Sequence, residues 1–322
     1  METMAPDPHN PISKEMQAHI EAGDLDAVKK LYGEWPVAQR NELSQFIAQQ
    51  AAYRDRAGIL EWCLDHTDKD AEPLATHWFY NYACWGASTA VWTLLLDRGY
   101  DISKQGYSES VGDPLVQAGI HGNAELATLL IERAGVDPNS GYSSIHSEET
   151  AAIGAIQRDL EPAGDGDGGL AYDEDEDEDG ALARELEQVD PPDRWTGAES
   201  AVPVLRALLR GGWRGAAAEG ALIVAAEAGH LAALRVLAEE DPAVDLEAAV
   251  HWWGASSGAS RVGTALYRAA LRGRVEAVRY LLQRGADPSA KDAAGRPCLF
   301  AAREGGEQAV VKLLEQVGQK TR

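Results

Sequence analysis

The chain has 322 residues, 45% of them hydrophobic, and a formal net charge of −23. Its three widely separated cysteines (Cys63, Cys84, Cys298) argue against a disulfide framework, and no Cys/His spacing suits zinc, so neither a metal nor another cofactor is expected. No apolar run is long enough to span a bilayer, and the opening METMAPDPHNP lacks the basic and apolar regions of a secretory signal, so a reduced cytoplasmic protein with no membrane partner is the expectation.

In chain order, short pairs of amphipathic segments recur around a central joint. The first joint is Gly23 in HIEAGDLDAVKKLYG, with Leu25, Val28 and Leu31 on one helical face. The second unit, IAQQAAYRDRAGILEWCL, has Asp55 where a glycine is usual. The third, NYACWGASTAVWTLLLDRGYD, places Ala87 at the joint and Gly99 at the stop. The fourth, DPLVQAGIHGNAELATLLIERAGVDPN, turns at Gly122. The sixth turns at Gly229, the seventh at Gly273 and the eighth at Gly305, giving joint spacings of 32, 32, 35, 107, 44 and 32.

The gap of 107 is too long for one unit. It holds SIHSEETAAIGAIQRDL, which reads as a first helix, and AVPVLRALLRGGW, which reads as a second. Between Asp159 and Arg194 lie 15 acids and two arginines, a local charge of −13, so most of the acidity is confined to one stretch. Three segments are therefore expected: residues 1–158 with units one to four and the first helix of unit five, an acidic and disordered insertion at 159–199, and residues 200–322 with the rest.

Such a period is the signature of a solenoid. The seventh unit carries Thr264-Ala265-Leu266-Tyr267, Ala269-Ala270, Gly273, Val278, Leu281-Leu282 and Gly285-Ala286-Asp287, and on those residues it resembles the ankyrin repeat. The resemblance covers about 280 residues. It is specific in units four, six and seven and eroded in two, three, five and eight, and it implies an all-α ankyrin-repeat solenoid of about eight helix-turn-helix units with one acidic insertion. It also implies that the two positions after each alanine pair line a groove, together with finger positions between units. Those groove candidates are Tyr53, Arg54, Trp85, His121, Glu227, Arg272 and Glu304, with His77, Trp78, Trp252 and Trp253 from the fingers, His251 preceding the last two.

Nine Trp against three Phe is unusual, and Trp78, Trp85, Trp195, Trp213, Trp252 and Trp253 fall near loops or joints. Such rings offer rigid area to a partner and a face to a cation, or plug gaps between poorly matched helices. Arg261, Arg268, Arg272, Arg274 and Arg279 form a candidate anion or phosphate patch, weighed against a solvated helix face. Gly254-Ala-Ser256-Ser-Gly258 has the spacing of a nucleophile elbow without the strand-to-helix turn which that motif needs, and Asp165, Asp167 and Asp173–Asp179 lack the glycine and terminal Glu of a calcium loop.

Two functions are expected from this reading. The first is a binding protein whose acidic, aromatic groove takes a basic or arginine-bearing protein or peptide segment. The second follows from similarity in architecture to fungal arginine-containing cyclodipeptide synthases, stand-alone degenerate ankyrin proteins. It implies aminoacyl-tRNA carrying arginine as partner and diketopiperazine formation; no motif matches residue by residue, so catalytic assignments do not transfer, and His121 and His251 are candidates only by their groove and loop positions.

Overall fold

The computed structural model describes residues 13–37, 40–66, 77–102, 114–139, 142–143, 148–158, 201–214, 216–241, 244–249, 252–253, 260–261, 263–292 and 295–320. Helices dominate: α1 (Lys14–Ala22), α2 (Leu25–Glu34), α3 (Arg40–Tyr53), α4 (Ala57–His66), α5 (His77–Gly86), α6 (Thr89–Asp97), α7 (Pro114–Ile120), α8 (Ala124–Glu132), α9 (Ala151–Arg158), α10 (Ala201–Arg210), α11 (Ala216–Ala228), α12 (Leu231–Glu240), α13 (Ala265–Leu271), α14 (Val275–Gln283), α15 (Cys298–Glu304) and α16 (Gln308–Lys320). The strands described are two antiparallel hairpins of two-residue strands, β1 (Tyr142–Ser143) with β2 (Glu148–Glu149) before α9, and β3 (Trp252–Trp253) with β4 (Ser260–Arg261) before α13. This is an all-α solenoid in two layers. Odd-numbered helices stack on odd-numbered ones from α1 to α15, and even-numbered on even-numbered from α4 to α16. Glu148 and Glu149 stand opposite Ser143 and Tyr142 in the first hairpin.

The joints explain how each pair folds back on itself. Gly23, Gly122, Gly229 and Gly273 take φ of 73°, 65°, 79° and 67°, the left-handed conformation that glycine adopts at little cost. Asp55 and Ala87 hold the same place with φ of 59° and 40°, the only described non-glycine residues with positive φ. In the eighth unit the expected joint is displaced by one residue: Gly306 carries φ 74° while Gly305 stays in the right-handed region as the α15 C-cap. After four of the joints a polar side chain caps the second helix, whereas Arg274, after Gly273, makes no such bond. Asp24, Ser88, Asn123 and His230 accept from the backbone N–H of Ala27, Val91, Leu126 and Ala233 respectively.

The same residues stitch neighbouring units together. Asn123 Nδ2 donates to Ala87 O at 2.9 Å, Ser88 Oγ donates to Asp55 Oδ1, and Arg274 Nε donates to Glu227 O at 3.0 Å. Between odd-numbered helices the approach is close enough to require small residues. Ala51, Ala52, Ala225, Ala226, Ala269 and Ala270 are fully buried, and a Cβ at Gly119 would fall 2.0 Å from Ala151 O. α9 and α10, on either side of the 159–200 stretch, pack against each other as a pair, and α9 also packs on α7 and α11. One continuous apolar cluster runs from Met16 to Leu314, as expected when each unit can bury its apolar face only against its neighbours.

Candidate functional site

Aligning the units on their joints shows a repeated relationship across the odd-numbered helices. The residue just before one joint reaches back to the residue two before the preceding joint. Arg54 meets Glu21, Gly86 meets Tyr53, and Arg272 meets Glu227. The position expected to open into the groove is thus spent partly on the neighbouring unit. At Gly86 no side chain fits at all, because a Cβ would fall 2.6 Å from Ala52 O and 2.7 Å from Tyr53 O.

At the N-terminal end, Arg54 is buried, and its Nη2 lies 3.1 Å from Glu21 Oε1. It also donates to Gln50 Oε1, and its guanidinium carbon stands 5.5 Å from the centroid of the Tyr53 ring. Burial pushes the Tyr53 phenol above its ordinary value, against the opposing pull of the Arg54 charge. Tyr53 meets Tyr82 edge-on at 6.3 Å, and Tyr82 meets Trp85 edge-on at 5.8 Å. Tyr53 and Tyr82 are buried while Trp85 is half-buried, so the ladder ends in a ring reachable from solvent.

At the other end, Glu227 closes a second cluster. Arg268 Nε and Nη2 reach Glu227 Oε2 and Oε1 at 3.1 and 2.6 Å, a two-pronged fork in which the side chains are 10% and 9% exposed. Arg272 adds a single contact, Nε to Oε1 at 3.0 Å, and its side chain is 54% exposed. The row of uncommitted cations expected here is therefore largely engaged. Arg268 lies buried in an internal pair, Arg274 holds the Glu227 carbonyl, and Arg279 sits 3.6 Å from Glu276.

The remaining candidates scatter. His121 follows α7 half-buried, and Glu304 ends α15, 3.7 Å from Arg296 Nη1. His77 and Trp78 belong to α5 and not to a finger loop. Trp252 and Trp253 form β3, with Trp252 opposite Arg261 and Trp253 opposite Ser260. His251, Trp195, the Gly254–Gly258 stretch and the Asp165–Asp179 acids lie outside the described residues. Trp213 fits the gap-filling alternative: it is completely buried, as is Trp92, whose Nε1 donates to Ala83 O at 3.2 Å. Among the described residues no group of three or more His, Cys, Asp or Glu could hold a metal ion, and no helix is long and apolar enough to cross a membrane.

Sequence reasoning missed Glu21 and Tyr82, and it read Arg268 as part of an anion patch and not as the partner of Glu227. The signal was present in the spacing, since Tyr82 lies three residues before Trp85 and Arg268 four before Arg272, one helical turn in each case. Comparison with protein families finds ankyrin repeats, in three copies, over residues 198–292 and 222–321. A search of curated proteins returned no match.

Proposed function

We propose that this ankyrin-repeat protein, whose repeats are matched over residues 198–321, binds an arginine-bearing, basic segment of a protein partner across its inner-helix face. Ankyrin repeats support a role in protein–protein interaction; the chemistry of the partner is our reading. The observation that carries it is Arg54, a guanidinium held between a carboxylate, Glu21, and a tyrosine ring, Tyr53, on the face where Trp85 offers a further reachable ring. A surface that stacks and pairs one of its own guanidinium groups has the chemistry to take another, because planar guanidinium suits both a ring face and a carboxylate fork.

The test is direct titration with a short peptide carrying two arginines, at physiological salt. Trp85→Ala should weaken binding about five- to thirty-fold, the range of a moderate aromatic anchor. Unchanged affinity would remove the inner face from the account. Expression in a bacterial host with small-molecule profiling tests the synthase alternative: an arginine-bearing cyclic dipeptide that depends on the protein would replace the binding reading.

A further inference from the structure

We infer that Glu227 is the carboxylate that receives the partner's arginine, and that Arg272 is an internal stand-in which the incoming guanidinium displaces. This rests on the reading of an arginine-bearing partner given above.

The two arginines on Glu227 are not equivalent. Arg268 is buried with it and uses a full fork on both oxygens. Removing that partner would leave a buried charge unpaired, so Arg268 is fixed. Arg272 is more than half exposed and touches one oxygen through one nitrogen. That single contact, made by a side chain 54% exposed, is worth less than the buried fork, because water screens the arginine and a long side chain must be held still to make it. Of these two arginines, Arg268 is the permanent cation on Glu227 and Arg272 the exchangeable one.

The local backbone keeps the position in place while the side chain exchanges. Arg274 Nε donates to Glu227 O, and Gly229, the joint of the same unit, packs against the Arg274 stem. The carboxylate stays oriented by Arg268 and its main chain by Arg274, whichever guanidinium occupies the place that Arg272 holds. The partner's arginine then gains a charge-assisted bond that is already built. Arg272 relaxes into water at small cost.

This exchange predicts an effect opposite in sign to that of an ordinary contact. Deleting the stand-in removes an internal competitor, so Arg272→Met should tighten binding of the two-arginine peptide by roughly two- to five-fold, the size of one exposed ion pair. Arg206→Met serves as charge control: it removes an equally exposed arginine from α10, in the other layer. Titrating wild type, Arg272→Met and Arg206→Met with the same peptide separates the outcomes. A gain for Arg272→Met alone supports the exchange. Wild-type binding with no gain or a loss for Arg272→Met overturns the exchange and leaves the binding reading standing. An equal gain in both variants assigns the effect to net charge and overturns it too. No peptide binding to any of the three overturns both readings.

Discussion

Arg268 Nη2 lies 2.6 Å from Glu227 Oε1, joining residues 41 apart in sequence through a pair that is nearly closed to solvent. Breaking such a pair from one side leaves the other charge buried. Glu227→Gln should therefore lower stability by about 3–5 kcal/mol, read as a fall in the urea midpoint, while Glu227→Met with Arg268→Met should recover most of the loss. Equal destabilisation by the single and double variants would contradict this recovery.

Where odd-numbered helices approach most closely, backbone and not side chain is the obstacle. Gly119→Ala should destabilise by about 1–3 kcal/mol, because its Cβ would meet Ala151 O at 2.0 Å and a carbonyl of a packed helix cannot step aside. Gly220, inside α11 with nothing within 4 Å of an added Cβ, is the contrast. Gly220→Ala should stabilise by about 0.5–1 kcal/mol through helix propensity alone, measured by the same unfolding curves.

Ala87 is held at φ 40°, a conformation that costs a side-chain-bearing residue roughly 1–2 kcal/mol. Ala87→Gly should raise thermal stability by up to about 1 kcal/mol once the entropy of the added glycine is subtracted. Asp55→Gly should gain less, because it removes the carboxylate that Ser88 Oγ binds. A larger gain at Asp55 than at Ala87 would contradict this difference.

Those joints show how far the fold was legible in the sequence. A left-handed turn between two helices favours glycine so strongly that Gly23, Gly122, Gly229 and Gly273 could be read directly, and the spacing of 32 then located Asp55 and Ala87 without a glycine to mark them. At the Gly305-Gly306 pair the joint lies one residue later than the spacing indicates, because either glycine suits the turn; Gly305 stays right-handed, with Leu271 O 2.2 Å from where its Cβ would fall. The site was less legible for a different reason. Arg268 and Arg272 were read by charge, yet their role is set by a carboxylate one unit away, and nothing local in the sequence announces a pair 41 residues apart. Trp213 falls near a joint as Trp85 does, yet it is completely buried where Trp85 is half-buried.

The last finger carries a pH dependence. Burial would raise the Asp292 carboxyl, but hydrogen bonds from Arg296 and from the Tyr267 hydroxyl outweigh it and hold it below the ordinary carboxylate range. The Tyr267 phenol is correspondingly pushed up to about 12, by burial first and then by that hydrogen bond. A lowered carboxylate stabilises fully above its unfolded value, and the contribution is lost as pH falls through the folded value. Asp292→Asn should thus cost stability at neutral pH and flatten the acid limb of the stability profile, with the two proteins converging at low pH. Parallel profiles would contradict the assignment.

The central claim, that the inner face recognises guanidinium and not merely positive charge, is tested most directly by comparing two peptides of equal length and charge, one with arginines and one with lysines. Planar guanidinium can stack on a ring and fork onto a carboxylate, whereas ammonium is a hydrated point charge. The arginine peptide should bind wild type about five- to ten-fold more tightly than the lysine peptide, with the advantage shrinking in Trp85→Ala. Equal affinity for the two peptides, or an advantage untouched by Trp85→Ala, would contradict the account.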